Sequence, residues 1–310
     1  MRVVFMGTPD FAVGTLEAIV AAGHEVVGVV TQPDKSKGRS KALVPTPVKA
    51  AAMARGLNVF QPLRIRHAES VAAIKEMNPE VIVVVAFGQI IPKEILEMAP
   101  YGCLNVHASL LPAYRGAAPI QWAVLNGEKE SGVTIMRMDE GLDTGDMISK
   151  VIVPLDEKET SETLFDKLSA AGAKLLVETL PKVADGTAVY EKQPLESPTP
   201  YAGMISKQMG EVDWNKSAAE LERLVRGMNS WPSAYTRLDG KTLKIWVSHV
   251  DDPEMTGNPG EILQADKYGI KVQTGQGVLC LEEIQLEGKK RMTADAFLRG
   301  YTIKNMQLGE

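Results

Sequence analysis

The sequence predicts an α/β fold, a doubly wound parallel sheet followed by a small C-terminal β-barrel. Three observations predict it. The first half alternates short, almost wholly apolar β-branched runs with helix-like stretches, the pattern of parallel strands covered on both faces by helices. Three prolines between Gln193 and Pro200 then interrupt any regular element. Beyond them, five short strand-like runs with Gly, Asp and Asn turns occupy about fifty residues, the spacing of a small barrel of the OB type. A chain of 310 residues accommodates two domains at the usual ~100–200 residues each. The boundaries expected are a first domain over 1–192, a linker over 193–206 and a second domain over 207–310.

Each element has its own signal. Residues 3–6, 26–30, 81–86 and 103–106 read as strands, because their apolar runs are too short for helices and rich in valine. Residues 11–22 and 68–77 read as helices between them. Thr46-Pro47 opens a third helix, with a hydroxyl at the cap and proline at the first helical position. Residues 133–138 and 147–153 are two more strands. They lead into a helical segment over 163–183 that Pro181 is expected to disturb. In the second half, Ser217-Ala218-Ala219-Glu220 is a capping box opening an amphipathic helix that runs to about Met228. Strand-like runs follow at 234–238, 242–247, 260–264, 270–274 and 278–285.

Composition excludes several function classes. With 45% hydrophobic and 24% charged residues, the chain lies near the globular average and outside disordered, collagen-like or coiled-coil ranges. Its longest strongly apolar stretch, residues 81–88, is less than half the ~20 residues that span a bilayer. The opening run is broken by Gly7-Thr8-Pro9-Asp10 and has no signal-peptide cleavage site, so a cytoplasmic location is expected. Cys103 and Cys280 lie far apart in strand-like segments and read as buried reduced thiols. His24, His67 and His249 show no mutual ligand spacing and no nearby cysteine, so no metal is expected. The net charge of −5 gives no whole-chain argument for binding nucleic acid, and any polyanion must meet a local patch.

Four segments carry candidate chemistry. After the first strand, Gly7-Thr8-Pro9-Asp10-Phe11 holds neither a dinucleotide fingerprint nor a P-loop, so a nicotinamide or ATP site is not expected and Gly7 reads as a turn glycine. Asn105 and His107 share one face at the carboxyl end of a parallel strand, where ligands of open α/β sheets bind. An amide and an imidazole there can both donate to one developing oxyanion, although a satisfied polar strand terminus would look the same. Downstream, Ser109, Leu110, Leu111 and Pro112 form an irregular apolar loop, either a core-capping turn or a wall for an apolar ring. The third segment, from Asp139 to Asp146, sets four carboxylates among glycines, with Asp143 between Gly141 and Gly145, and reads as a ligand-facing acid or as a hairpin with solvated acids. The fourth, from Thr31 to Lys49, carries Lys35, Lys37, Arg39, Lys41 and Lys49 against Asp34 alone. It reads as a long mobile loop, either merely solvated or suited to phosphate contact.

Taken together, the opening from Val4 to Ala12, Asn105-x-His107, Ser109-Leu110-Leu111-Pro112, the run from Tyr114 to Trp122, and Asp143-Thr144-Gly145-Asp146 resemble the folate-dependent formyltransferases over essentially the whole chain. The resemblance implies a Rossmann-like first domain and 10-formyltetrahydrofolate as formyl donor, with no metal. It implies a catalytic trio of Asn105, His107 and Asp143. Asn105 and a protonated His107 would stabilise the oxyanion while Asp143 keeps the imidazole charged and oriented. It further implies that Ser109, Leu110, Leu111 and Pro112, with Phe87, Gly88, Gln89, Ile90 and Ile91, contact the folate. The Gly7-Thr8-Pro9-Asp10-Phe11 opening, the basic loop and the barrel favour methionine charged on initiator tRNA as acceptor, met by Lys35, Lys37, Arg39 and Lys41 and by the C-terminal domain. A monomer is expected. Two other readings are an enzyme that formylates a small amine such as an amino sugar, and a non-catalytic RNA-binding protein that retains the shell.

Overall fold

A computed structural model describes residues 1–37, 42–251, 256–304 and 306–309 of the chain. In its first half, β1 (Arg2–Gly7), α1 (Asp10–Ala21), β2 (Glu25–Val30), a ribbon of β3 (Lys35–Lys37) and β4 (Ala42–Val44), α2 (Pro47–Met53), β5 (Val59–Phe60), α3 (Ala68–Glu76) and β6 (Val81–Val85) follow in order. Then come α4 (Lys93–Leu96), β7 (Cys103–His107), α5 (Pro119–Leu125), β8 (Glu130–Arg137), β9 (Met147–Pro154) and α6 (Ser161–Ala184). The main sheet has the order β5-β2-β1-β6-β7-β8-β9. Its central strands are buried on both faces, with Val3 to Met6 and Val81 to Val83 fully enclosed, as near-continuous apolar runs require.

Three expectations change. The sheet is mixed rather than wholly parallel, because β8 runs antiparallel to both β7 and β9. The connection from β8 to β9 is a short loop without a crossover helix, and such a loop can only join antiparallel neighbours. The basic segment is not irregular throughout: β3 and β4 pair as an antiparallel ribbon, Lys35 opposite Val44 and Lys37 opposite Ala42. Helix α6 runs through Pro181 to Ala184. That proline falls in the last turn, where few later residues depend on the ladder. At α2 the expected cap is present, with Thr46 Oγ1 accepting the Lys49 amide at 3.1 Å.

Contacts divide the chain into two compact units, the first comprising Met1–Pro119, Glu130–Pro154 and Phe165–Ala202, the second Ile120–Lys129, Leu155–Leu164 and the chain from Gly203 onward. In the second unit, a 3₁₀ turn at Lys207–Gly210 and α7 (Ala218–Gly227) precede β10 (Ala234–Leu238), β11 (Lys241–Asp251), β12 (Ile262–Asp266), β13 (Gly269–Gln273), β14 (Val278–Leu286), β15 (Met292–Thr293) and α8 (Ala294–Gly300). The capping box of α7 forms as expected, Ser217 Oγ accepting from the Glu220 amide at 3.3 Å and Glu220 Oε2 from the Ser217 amide at 3.0 Å. All the strands pair antiparallel, in the order β10-β11-β14-β13-β12 with β15 on β14, over a core that includes Leu221, Val225, Leu243, Ile245, Val272, Leu281 and Phe297.

The closed barrel is not reproduced, since β10 and β12 do not pair among the described residues. Other segments occupy their free edges. Val212 donates its amide to Tyr235 of β10 at 2.9 Å, and Ile262 of β12 donates to Met306 at 2.6 Å. Covering an edge with a passing chain removes the unpaired backbone groups that would otherwise drive closure. Among the described residues no helix is long and apolar enough to cross a membrane.

Candidate active site

The site is built outward from β7. In Cys103–His107, alternation sets Cys103, Asn105 and His107 on one face and Leu104 and Val106 on the other. Both neighbours hold the strand in register, Val84 of β6 opposite Asn105 and Thr134 of β8 opposite His107. The Asn105 side chain is half-buried and makes no hydrogen bond within the described chain, which leaves its amide available. Two partners flank the His107 ring. Nε2 lies 3.1 Å from the carbonyl of Tyr114, and Nδ1 lies 3.8 Å from Asp143 Oδ1, with the two side chains only 7% and 15% exposed. A carbonyl only accepts, so Nε2 is the donor to Tyr114 and Nδ1 is the nitrogen turned to the carboxylate.

Local chemistry in the β8–β9 loop explains why Asp143 reaches inward. Asp139 Oδ1 accepts from the Gly141 amide at 3.0 Å and from Thr144 Oγ1 at 2.8 Å, so this carboxylate shapes the turn. Asp143 itself takes the left-handed conformation, φ 55°, which Asp tolerates better than most residues. Gly145 is required for space rather than for φ, because a Cβ there would collide with the Arg137 carbonyl. Of the four acids, Asp143 is the one that faces the histidine. Its second oxygen, Oδ2, accepts the Gly116 amide at 2.9 Å.

The candidate folate residues lie in the loops that follow β6 and β7, which are adjacent in the sheet. Their side chains do not converge equally. Leu111 packs into a buried cluster with Met136 and Met147, while Phe87 and Ile91 belong to the core with Met6 and Val84. Ser109 is buried, its Oγ donating to Ala113 O at 2.7 Å. Thr134 Oγ1 donates to Ser109 O at 2.7 Å and accepts the Leu111 amide at 3.1 Å, fixing the course of the chain through Leu110, Leu111 and Pro112. Gln89 accepts the Ile65 amide at 2.7 Å, Gly88 has φ 84°, and Ile90 is largely exposed to solvent. The Phe87 carbonyl accepts from Thr8 Oγ1 at 2.9 Å and Gln32 Nε2 at 3.2 Å, so the opening Gly7-Thr8 turn braces this loop.

Among the candidate tRNA residues, Lys35 is exposed on β3, the backbone of Lys37 completes that strand, and Arg39 and Lys41 lie outside the described residues. Lys49 pairs with Asp34 at 2.6 Å, which removes one cation from the free set, and the bonds from Lys49 and Gln61 hold the Asp34 carboxyl below its ordinary value. Elsewhere, the expectation that no cysteine lies near a histidine is overturned. Pairing of β11 with β14 sets His249 opposite Cys280, and with Asp251 their polar atoms fall within 4.8 Å of one another. Asp251 there is ion-paired with Lys271 at 2.7 Å.

Sequence reasoning missed the residues that hold the two site loops. Arg115, buried, donates Nε to Gln193 Oε1 at 3.0 Å, Nη1 to Leu195 O at 3.1 Å and Nη2 to Pro194 O at 2.7 Å. Thr199 Oγ1 accepts the Tyr114 amide at 2.7 Å, and Ser197 Oγ donates to Pro112 O at 2.9 Å. The stretch from Gln193 to Ala202 is therefore a strap across the loop that follows β7, within the first unit. No composition signal distinguishes such a strap from a linker.

The chain matches a family model described as formyl transferase over residues 1–180 and one described as formyl transferase, C-terminal domain, over 204–302. It is 59% identical over 304 residues to a methionyl-tRNA formyltransferase of Agathobacter rectalis, covering 98% of each chain. To the protein of that name from Clostridioides difficile it is 51% identical, again covering 98% of each. Among solved structures, an N-formyltransferase from Helicobacter canadensis on complex with folinic acid and dTDP-3-aminofucose superposes with a TM-score of 0.66 at 19% identity, covering 91% of this chain and 99% of that one. HypX from Aquifex aeolicus in complex with tetrahydrofolic acid gives 0.63 at 18%, covering 99% of this chain and 48% of that one. These two likenesses speak for the fold. Both family models are matched in order and the relatives agree along almost the full length, so the chain belongs to the formyl transferase family.

Proposed function

We propose that the protein transfers the formyl group of 10-formyltetrahydrofolate to the α-amine of methionine charged on initiator tRNA, supplying the formylated starter of translation in the cytoplasm. One observation carries the chemistry: an unpartnered amide, Asn105, shares a strand face with a histidine whose other side is backed by a carboxylate. The full-length similarity to methionyl-tRNA formyltransferases supports the acceptor. The attacking amine forms a C–N bond to the formyl carbon as the carbonyl electrons move to oxygen. Asn105 donates to that oxyanion, joined by the His107 Nε2–H once the substrate draws it from the Tyr114 carbonyl. Collapse then breaks the bond to N10 of the folate, the amine loses one proton and N10 gains one. Asp143 holds the ring and lies where the departing proton can be received, directly or through a water. No covalent enzyme intermediate is needed, so much of the rate comes from holding two large substrates in register.

In this reading the loops after β6 and β7 receive the pterin, mainly through backbone groups and the wall around Ile90 and Leu110, and the folate is a substrate rather than a resident group. Lys35, Lys37, Arg39 and Lys41 meet tRNA phosphates. The C-terminal antiparallel unit, whose strand spacing resembles the OB type, adds tRNA contact as a monomeric protein's second domain. The test uses 10-formyltetrahydrofolate labelled in the formyl carbon, offered with charged initiator tRNA, free methionine and a nucleotide-linked amino sugar. Label on the α-amine of the charged tRNA supports the reading, and preferential labelling of the amino sugar overturns it.

A further inference from the structure

We infer that Gln193 is a positioning residue for formyl transfer, held by Arg115 and acting through Asp143; the inference rests on the catalytic role proposed for Asp143. The amide of Gln193 is engaged at both ends. Its Nε2 donates to the carbonyl of Asp143 at 2.9 Å and to that of Gly145 at 2.8 Å, and its Oε1 accepts from Arg115 Nε at 3.0 Å. Two donors on one nitrogen thus clasp the backbone on both sides of Thr144, and the acceptor end is fixed by a buried guanidinium. That guanidinium is in turn seated on the carbonyls of Pro194 and Leu195. Its neighbour Gly116 donates to Asp143 Oδ2, so the same short loop grips the carboxylate from its other end.

The consequence is a closed circuit: Asp143 carboxylate to Gly116, Gly116 by the chain to Arg115, Arg115 to Gln193, and Gln193 back to the Asp143 carbonyl. An aspartate in the left-handed region has no regular secondary structure to hold it. The circuit supplies that restraint from both the main chain and the side chain. The donors of this circuit are engaged by protein acceptors, so its contribution is to the angle at which Asp143 meets His107 across 3.8 Å.

Gln193→Glu separates the two ends of the amide. It keeps, and strengthens by charge, the acceptor for Arg115, and it loses both donors to the loop carbonyls. The full-length protein carrying Gln193→Glu is expected to retain its Tm within a few degrees and its KM for both substrates within about twofold, while kcat falls about tenfold to a hundredfold. Asp143→Ala and the double variant complete a cycle. If Gln193 acts through Asp143, adding Gln193→Glu to Asp143→Ala costs less than twofold more. Unchanged kcat in Gln193→Glu, or a double variant whose losses multiply, overturns the inference while leaving Asp143 in its role. A normal kcat in Asp143→Ala instead removes the reading on which the inference rests. Should Gln193→Glu not accumulate as folded protein, the near-isosteric Gln193→Met is measured against the same two criteria.

Discussion

His107 Nδ1 faces Asp143 Oδ1 across 3.8 Å, while the other oxygen of that carboxylate is held by the Gly116 amide at 2.9 Å. The carboxylate therefore does two things at once, tying together the loops that follow β7 and β8 and presenting one free oxygen to the ring. The separation exceeds a hydrogen bond, the usual state of a catalytic contact before substrate arrives. On its far side the ring is held by the Tyr114 carbonyl, so small movements of either loop change the direction in which the imidazole can donate.

Gly145 lies where no side chain fits, because its added Cβ would strike the Arg137 carbonyl and would lie 3.2 Å from the Asp139 amide nitrogen. Gly145→Ala is expected to destabilise the protein by about 1–3 kcal/mol, the usual cost of overpacking. It should also lower kcat through displacement of Asp143. Gly203→Ala, whose added methyl meets nothing within 4 Å, serves as the control and should leave both unchanged. Urea midpoints and steady-state kinetics of the two variants measure this directly.

The basic segment predicts a salt-sensitive tRNA interaction on an acidic protein. Replacing Lys35, Lys37, Arg39 and Lys41 together with Gln should lower kcat/KM for Met-tRNA and leave folate binding intact. It should also flatten the dependence of binding on salt by roughly 0.7–0.9 in log–log slope for each phosphate that is no longer neutralised. Titrations at several salt concentrations decide it, and an unchanged slope would make the segment an ordinary solvated ribbon.

Both thiols are predicted to resist alkylation in the native state. Burial pushes the Cys103 thiol up to about 12, and burial with the charges of Asp251 and Glu282 pushes Cys280 to about 11. At pH 8 only about 10⁻⁴ of Cys103 is thiolate, against about 10⁻¹ in an unfolded chain. Iodoacetamide at that pH should label neither cysteine until urea unfolds the protein. The sign of the linkage is also fixed. Above pH 9 the unfolded chain gives up these protons first, so this part of the stability is present below pH 9 and is lost as pH rises toward 12.

How much of this was legible in the sequence depends on whether the signal is local. Alternation along Cys103 to His107 is local, and it placed Asn105 and His107 on one face without any structure. The caps at Thr46 and Ser217 were equally plain, since each lies next to the amide it binds. The antiparallel pairing of β8 with β7 was not, because across a longer connection strand direction is set by partners that sequence does not reveal. Nor was the meeting of His249 and Cys280, which depends on the register of two strands about thirty residues apart. The strap from Gln193 to Ala202 was hidden most deeply. Its prolines carry the composition of a linker, yet Pro194 and Leu195 contribute the carbonyls that seat a buried guanidinium, an arrangement that no pattern of residue types records.

Single-turnover formylation of charged initiator tRNA by Asn105→Ala and His107→Ala, at saturating 10-formyltetrahydrofolate, tests the proposed chemistry most directly. Each variant loses one oxyanion donor, which corresponds to a rate reduction on the order of 10²–10³, or about 2.7–4 kcal/mol, with tRNA affinity nearly unchanged. A His107→Ala enzyme that formylates at close to the wild-type rate would contradict it.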